Sequence, residues 1–389
     1  MRQMIAEIAE IARIQPSLES GRRRTDALSR PVFGIAGLPI DAVGIDDVLE
    51  ALEAVIRERR PFLISTPNLH FLIKSLGDEA FRASLLLSDL CPADGMPIVW
   101  ISRLLGVEAV RRVSGADIFD VLRAGRPGGR ARSIFLFGGP GDTAHKVGKA
   151  INSEAAGLRC VGSLNPGFGS IDQLSDPAVL AAINSSGADM LAVFLNADKA
   201  QTWLLRNHHR LRPPVRAQLG ATINFQAGTV RRAPAFIRDA GFEWLWRIKE
   251  EPYLWRRYLR DGLSLLRVIA TSVVPFRLNA VLLRLRSNYK DLKAQIIEQP
   301  DRTLVRLSGA ATKEHIAEAI ARFRQALDRH QPLVVDLAST SEIDPRFFGL
   351  LLLVRKELES REQSLDLVHA PPAIARAFRL NGFNFLLGH

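Results

Sequence analysis

Short apolar runs alternate with longer amphipathic segments between about residue 45 and residue 220, and no other feature constrains the fold as much. Parallel strands need a long, usually helical connection between them, so this alternation predicts a parallel sheet. We therefore expect an α/β fold with a Rossmann-like parallel sheet and crossover helices. The strand-like runs are Phe62–Ser65, Ser133–Phe137, Arg159–Gly162, Met190–Leu195 and Arg216–Leu219, and the helix-like segments lie near Asp46–Arg59, Leu69–Ser88, Thr143–Asn152, Pro177–Asn184 and Lys199–Arg210.

Small polar residues and glycines follow the predicted strands. In open α/β sheets, ligands bind beyond the carboxyl ends of the strands. That edge is predicted to carry Thr66, Gly138, Gly139, Asn165 and Asn196. We expect the functional site along this edge.

Basic residues are concentrated in one part of the chain. The 389 residues carry a formal net charge of +11, and residues 203–290 alone hold 17 Lys or Arg against 5 Asp or Glu. Such a region attracts nucleic acid, anionic lipid headgroups or a phosphorylated substrate. The sequence has no helix-turn-helix, zinc or RNA-recognition motif, which disfavours nucleic acid.

The sequence predicts a cytoplasmic protein with peripheral membrane contact. Its two cysteines, Cys91 and Cys160, lie far apart in apolar settings, as is typical of buried thiols in a reducing compartment. The N-terminal residues lack the apolar core of a secretory signal. The most apolar window, Leu263–Leu285, is interrupted by arginines and by Pro275. That pattern favours a helix on the bilayer surface over one that crosses the bilayer.

The stretch Gly220–Tyr258 combines clustered arginines with five Trp or Tyr rings. Guanidinium groups suit diphosphate oxygens because they donate hydrogen bonds in a bidentate fork. The aromatic rings suit a base, a sugar or a membrane interface. From composition alone, a helix with a solvated basic face and an aromatic core stripe is an open alternative.

Several short motifs occur in a fixed order between Pro31 and Tyr258. They are Ser65-Thr66-Pro67-Asn68, Ala93-Asp94-Gly95, Arg111-Arg112-Val113-Ser114-Gly115-Ala116-Asp117, Phe137-Gly138-Gly139 with Gly141, and Gly167-Phe168, followed by A-G-T-x-x-R-A-P, G-x-E-W-x-x-R and E-P-x-x-x-R-R-Y. Each motif alone is weak, but the ordered set resembles the WecG/TagA/CpsF family of bacterial glycosyltransferases. The resemblance implies transfer from a UDP-sugar to a polyprenyl-diphosphate-linked sugar, at the inner face of the cytoplasmic membrane, in surface or exopolysaccharide biosynthesis.

Inverting sugar transfer needs a base for the acceptor hydroxyl and positive charge for the departing diphosphate. Asp94 is the best candidate for the base, because the glycine after it permits a tight turn that leaves the carboxylate free; capping that turn is its alternative role. Thr66 and Asn68 are expected to orient sugar hydroxyls or the catalytic carboxylate. Arg112 is expected to pair either with a phosphate or with Asp117.

The other candidate residues are expected to bind substrate. They are Gly138, Gly139, Gln201, Asn224, Arg232, Arg247, Arg256 and Arg257. Two of them depart from the family pattern. Gln201 stands where many members have glutamate, with Ala200 in place of glutamine before it, and Asn224 replaces an aspartate. A catalytically degenerate regulator that senses a nucleotide sugar is therefore the alternative to an enzyme.

The passage from Val334 to Ser360 resembles the core of a STAS domain, the small α/β module of anti-sigma-factor antagonists. Typical members carry a phosphorylatable serine after an aspartate, but here Pro345 follows Asp344. The resemblance implies a docking module for a protein partner rather than a phosphorylation relay. Because no transferase motif follows Tyr289, we expect a separable addition, and a chain that ends near Lys290 should fold and stay active.

These features predict four parts along the chain. They are a variable N-terminal arm (1–30), a Rossmann-like glycosyltransferase core (31–228), a basic aromatic appendage with a membrane-surface helix (229–292), and a STAS-like domain (298–389). A homo-oligomer is compatible with this organisation.

We predict that activity needs no metal and no cofactor. Many sugar transferases hold a metal with a D-x-D pair, and this sequence has none. Clustered arginines are expected to neutralise the diphosphate instead. Release of UDP should therefore continue at full rate in excess EDTA. Loss of activity in EDTA that magnesium restores would contradict this prediction.

Overall fold

The computed structural model describes residues 27–126, 129–286 and 291–388. Most of the predicted N-terminal arm lies outside these ranges. The strands are β1 Val32–Ile35, β2 Leu38–Asp41, β3 Phe62–Ile64, β4 Arg132–Gly138, β5 Leu158–Leu164, β6 Met190–Phe194, β7 Val215–Gln218, β8 Lys293–Glu298, β9 Thr303–Ala311, β10 Leu333–Ile343 and β11 Leu365–Val368. The α-helices are α1 Ile45–Glu58, α2 Leu69–Gly77, α3 Glu79–Leu86, α4 Met96–Leu104, α5 Gly115–Ala124, α6 Thr143–Glu154, α7 Ile171–Leu174, α8 Pro177–Ser185, α9 Ala197–Asn207, α10 Thr222–Gln226, α11 Ala235–Asp239, α12 Glu243–Glu250, α13 Trp255–Val268, α14 Val274–Arg286, α15 Ile316–Leu327, α16 Pro345–Glu359 and α17 Pro372–Leu380.

A five-stranded parallel sheet forms the first domain, in the order β3–β7–β6–β4–β5. All five predicted strands are present, and helices cross over between them, so the predicted Rossmann-like α/β fold is confirmed. The chain leaves β4 toward β5 on one side and leaves β6 toward β7 on the other. The neighbours β4 and β6 therefore flank a topological switch point, where α/β sheets bind ligands.

Some local elements differ from the sequence prediction. The helix expected over Leu69–Ser88 is two helices, because the Asp78 side chain accepts a hydrogen bond from Phe81 N–H and starts α3. The β1–β2 hairpin and helices α4 and α5 were not predicted. Helices α4 and α5 directly follow the Asp94-Gly95 and Arg112–Ser114 segments, so they fix the orientation of both motifs.

The second domain is a four-stranded sheet, in the order β11–β10–β9–β8, with helices α15 to α17. This arrangement confirms the predicted small α/β domain. Helix α16 is buried from Pro345 to Val354. A helix that is apolar on every face needs cover on every side. The second sheet covers one face of α16, and the β1–β2 hairpin covers another.

The hairpin fits against α16 too closely for ordinary side chains. A Cβ atom on Gly349 would lie 1.9 Å from the Val32 carbonyl oxygen, and a Cβ on Gly34 would lie 2.5 Å from Phe348 Cβ. The Asn381 side chain accepts a hydrogen bond from Ala36 N–H and donates one to the Gly34 carbonyl, both at 2.9 Å. The hairpin precedes the first domain in sequence, yet it is packed into the second.

One hydrophobic cluster joins part of the first domain to the second, while the parallel sheet has two core clusters of its own. A single cluster of buried side chains joins the hairpin, helices α2 to α4 and the whole second domain. The Phe276 ring of α14 also lies 6.3 Å from the Phe348 ring of α16, centroid to centroid. This continuity argues against a separable C-terminal addition, which remains to be tested.

A continuous helical stretch, Pro252–Leu285, connects the two domains. It is long and apolar enough, by length and composition, to cross a membrane, although no window of that kind was expected from the sequence. The chain stays helical through Pro275 because a π-helical turn, Ile269–Val273, precedes α14 and absorbs the missing N–H donor. One face of the stretch packs on α2, α17 and β10, and the opposite face is exposed.

We predict that a chain ending at residue 290 does not fold stably. Removing the second domain takes α16 away from the hairpin, whose side chains Val32, Ile35, Leu38 and Ile40 are 0–1% exposed in the intact protein. Full exposure of one such side chain costs about 1.5–3 kcal/mol, so uncovering even a few of them removes much of the stability of a whole domain. Thermal unfolding followed by circular dichroism should show no cooperative transition, with the full chain as control. A soluble monomer that melts within a few degrees of the full chain would contradict this prediction.

Candidate active site

Asp94 lies where three segments of the first domain meet. Its N–H donates to the Pro67 carbonyl after β3, and Val113 N–H donates to the Ala93 carbonyl before α5, both at 2.8 Å. Gly95 has φ 101°, a conformation that favours glycine, so the chain turns sharply after Asp94 and enters α4. The predicted Asp-Gly turn is therefore present at the carboxyl edge of the sheet.

Thr66 is buried at the end of β3, close to the start of α5. A Cβ on Gly115 would lie 3.5 Å from Thr66 Oγ1 and 3.0 Å from a Leu219 methyl group. Glycine therefore lets the first turn of α5 approach the ends of both β3 and β7. Asn68 accepts a hydrogen bond from Phe71 N–H and caps α2, so its side-chain oxygen has a structural role in this structure.

The surroundings of Asp94 favour its protonated form. Burial and the nearby Glu243 carboxylate raise the pKa of Asp94 to about 7, against the opposing effect of Arg112. A carboxylate with a pKa near 7 is a much stronger base than an exposed aspartate, and half of its molecules are ready to accept a proton at neutral pH. The electrostatics thus support a base rather than a turn cap.

Asp117 holds three arginines beside Asp94. Its carboxylate lies 3.0 Å from Arg112 Nη1, 2.5 Å from Arg232 Nη2 and 3.2 Å from Arg238 Nη1. Although burial opposes it, the charge of Arg112 and the hydrogen bonds of Ser114 hold the pKa of Asp117 below its ordinary value. Of the two alternatives for Arg112, the structure shows the pair with Asp117.

Arg232, which is predicted to bind substrate, also pairs with carboxylates of the protein. Arg232 contacts Asp120 as well as Asp117, so its charge is largely balanced within the protein. Its Nε atom, and that of Arg238, are buried without a hydrogen-bond acceptor among the described residues. Buried donors of this kind are uncommon unless a ligand or water accepts from them. The cluster therefore retains donors for an anionic ligand.

The remaining appendage arginines lie in different surroundings. Arg247 pairs with Glu251 and stacks over the Phe225 ring, with 4.9 Å from Cζ to the ring centroid. Arg256 and Arg257 are exposed on α13, and neither makes an ion pair with any residue that the structure describes. These last two keep their full charge for a ligand or a membrane.

The glycine turn lies at the switch point between β4 and β6. Gly138 and Gly139 have φ values of 94° and 91°, and Gly139 N–H donates to the Phe194 carbonyl of β6. A Cβ on Gly138 would lie 3.0 Å from a Leu195 methyl group. Asn165, after β5, donates to the Gly141 carbonyl at 2.7 Å and fixes the far side of the turn.

Neither Gln201 nor Asn224 is fully exposed to solvent. Gln201 is fully buried, and its Nε2 donates to Ser65 Oγ at 2.7 Å. This hydrogen bond stabilises the end of β3. Asn224 is half-buried, and its Oδ1 has no hydrogen-bond partner among the described residues. Gln201 Oε1 likewise has no partner among the described residues, but only Asn224 is partly exposed and so within reach of a ligand.

Sequence reasoning missed Glu243, Arg238 and Asp120. Glu243 is the glutamate of the G-x-E-W-x-x-R motif, and it lies 3.7 Å from Arg112 Nη1. The motif marked the residue, but only the fold shows that α12 brings it next to Asp94. Within the described ranges, no group of three or more His, Cys, Asp or Glu side chains is arranged to hold a metal ion.

The first domain is a parallel α/β sheet that carries Asp94 and clustered arginines at its carboxyl edge. Residues 33–277 match the family described as "Glycosyl transferase WecG/TagA/CpsF family". That range is more than half of the chain, and this protein therefore belongs to the WecG/TagA/CpsF glycosyltransferases, which act in cell-surface polymer biosynthesis. Membership implies a nucleotide-sugar donor and a lipid-linked acceptor. Residues 295–388 match the family described as "Mlab, STAS domain", a protein-interaction module.

Asp94→Asn is predicted to keep the fold and lose turnover by about two orders of magnitude or more, the scale of losing a positioned base. In the unsubstituted protein the rate should rise with pH through about 7, because only the deprotonated carboxylate accepts a proton. The rate of sugar transfer against pH measures both effects. Asp46→Asn, on the exposed first turn of α1, is the matched control. Near-native turnover of Asp94→Asn would remove Asp94 from the mechanism.

Proposed function

We propose that this protein is an inverting glycosyltransferase that moves a sugar from a UDP-sugar to a polyprenyl-diphosphate-linked acceptor. The observation that carries this proposal is Asp94, a carboxylate whose pKa is raised to about 7, at the carboxyl edge of the sheet. In this mechanism Asp94 accepts the proton of the acceptor hydroxyl. The hydroxyl oxygen then attacks the anomeric carbon from the side opposite the diphosphate, and the bond to the diphosphate breaks with inversion.

The sheet offers a surface of suitable length for such a donor. Five strands about 4.8 Å apart span roughly 19 Å from β3 to β5. The Thr66 and Asp94 end of this edge suits the sugar and its diphosphate, beside the clustered arginines, and the glycine turn at Gly138 leaves room for the nucleoside at the switch point. Phe168, beyond β5, is fully exposed and supplies an aromatic face for the base.

Positive charge for the leaving diphosphate is proposed to come from arginine. Arg232 and Arg238 lie beside Asp94 and keep buried Nε donors without acceptors among the described residues. Arg256 and Arg257 supply further charge that no described carboxylate neutralises. Together they allow the metal-free mechanism that the sequence predicts, in which donors placed at the diphosphate stabilise its developing charge.

The exposed face of the helical stretch Pro252–Leu285 is proposed to dock on an anionic membrane that holds the acceptor, which places the protein at the inner face of the cytoplasmic membrane. Its exposed apolar side chains recur mostly every three or four residues, with a gap from Leu266 to Val274 across the π-helical turn, and form a stripe along the helix. They are Trp255, Leu259, Leu263, Leu266, Val274, Leu278, Val281, Leu282 and Leu285. Arginines flank the stripe at positions 256, 257, 260, 267 and 277, and each such side chain adds about 1 kcal/mol of attraction near anionic lipid.

The test measures UDP release across a panel of UDP-sugars, with a soluble acceptor analogue in one arm and a lipid-linked acceptor in vesicles in the other. We expect one UDP-sugar to support turnover in both arms. Vesicle activity should need anionic lipid and fall as salt rises, because salt screens surface charge. The double variant Leu263→Glu, Leu266→Glu should lose activity on the vesicles and keep activity on the soluble acceptor. The soluble arm is therefore its matched control.

Three outcomes would contradict parts of this proposal. Binding of a UDP-sugar without turnover in either arm would favour the sensing regulator. Salt-insensitive activity on neutral vesicles would exclude electrostatic docking. Resistance to alkaline carbonate extraction would show a helix that crosses the membrane rather than one that lies on it.

A further inference from the structure

Lys356 of the second domain binds the first domain beside its edge strand β3. Its ammonium group donates to the Leu87 carbonyl at 2.8 Å, the Ser88 carbonyl at 2.9 Å and Asp89 Oδ1 at 2.8 Å. An ammonium group has three N–H donors, and all three are used here. Helix α16 therefore holds the chain that leaves α3, at a point five residues before Asp94.

Asp89 connects Lys356 to β3 by hydrogen bonds. Its other oxygen, Oδ2, accepts from Leu63 N–H at 2.8 Å, while the N–H groups of Asp89 and Leu90 both donate to the Leu63 carbonyl. Ser65 N–H then donates to the Leu90 carbonyl, so the segment continues alongside the strand that ends at Thr66. Although burial opposes ionisation, Lys356 holds the pKa of Asp89 at about 2, so the ion pair persists through the neutral range.

A second connection from α16 reaches the same segment through the hairpin. Arg346 Nη1 donates to the Val32 carbonyl at 3.0 Å, and Gly349 packs on the same carbonyl. At the far end of the hairpin, Asp41 accepts from Cys91 N–H at 2.7 Å, and its own N–H donates to the Cys91 carbonyl at 2.9 Å. Two separate connections from one helix thus converge on residues 89–91.

Most of the surface of α16 is thus in contact with other parts of the same chain. Helix α16 is buried from Pro345 to Val354, between the second sheet and the hairpin of the first domain. The second domain also holds the far end of the long helix, because Arg284 Nε lies 2.5 Å from Glu342 Oε1. The surface that remains exposed on this domain lies elsewhere, for example on the edge strand β8.

We propose that the STAS domain is a fixed part of the catalytic unit, with Lys356 as a positioning residue that sets the register of residues 89–94 against β3 and thereby places Asp94 opposite Thr66. The partner of this domain's main helix is the transferase domain itself. The inference rests on the proposed function, because its consequence is a change in the rate of sugar transfer.

The test compares Lys356→Met with Lys293→Met, an exposed lysine of β8 in the same domain. Lys356→Met should lower kcat about tenfold or more and change KM for the UDP-sugar little, since the binding surfaces persist while the base is misplaced. Looser packing admits water to Asp94, and hydration lowers the pKa of a buried carboxylate. The rising limb of the pH–rate profile should therefore move to lower pH. Lys293→Met should match the unsubstituted protein in all three measurements.

A folded Lys356→Met protein with native kcat and a native pH profile would overturn the inference. If Lys356→Met does not fold, kcat and the pH profile are measured on Lys356→Arg and Asp89→Asn instead, because each variant preserves part of the contact. A lowered kcat with a shifted pH profile in either variant supports the inference, and native values in both overturn it. The proposed function fails separately: native turnover in Asp94→Asn rejects the base, whereas an inactive Asp94→Asn with a native Lys356→Met rejects only the positioning role.

Discussion

The structure depends on the close packing of the β1–β2 hairpin against helix α16. Gly349 lets the helix approach the Val32 carbonyl, and Gly34 lets the hairpin approach the Phe348 and Phe383 side chains, at distances that no Cβ would permit. The hairpin opens the transferase domain in sequence but completes the core of the STAS domain in space. Its last residue, Asp41, bonds to Cys91 and so joins that core to the catalytic segment. A match to two families therefore describes one physical unit, and the natural division of the chain does not fall at residue 290.

The chemistry of the site follows from how charge is balanced around one partly buried carboxylate. Glu243 and burial push the pKa of Asp94 up, whereas Arg112 pulls it down, and the result lies near 7. Asp117 holds the arginines in place and also absorbs much of their charge. A diphosphate would compete with Asp117 for these arginines. Binding of the donor and release of the arginines from Asp117 are thus linked by electrostatics alone.

The sequence predicted the elements with strong periodicity and the residues that sit in recognisable motifs. The five strands, the carboxyl-edge position of Thr66 and the Asp94 turn all follow from local pattern. The structural role of Gln201 and the ion pairs of Arg232 do not, because they depend on which segments meet in three dimensions. The packing that argues against a separable second domain was not predictable for the same reason. Nothing local to Gly34 or Gly349 reveals that each lies against the other domain.

Hydrogen exchange of the Gly349→Ala protein tests most directly whether the two domains form one catalytic unit. A Cβ at Gly349 must push the Val32 carbonyl away, whereas one at Gly262, the control glycine, meets nothing within 4 Å. Gly349→Ala should speed amide exchange in the hairpin and, together with it, in residues 89–94 and β3. Gly262→Ala should leave all three unchanged. Faster exchange in the hairpin alone, with residues 89–94 protected as in the unsubstituted protein, would contradict the account.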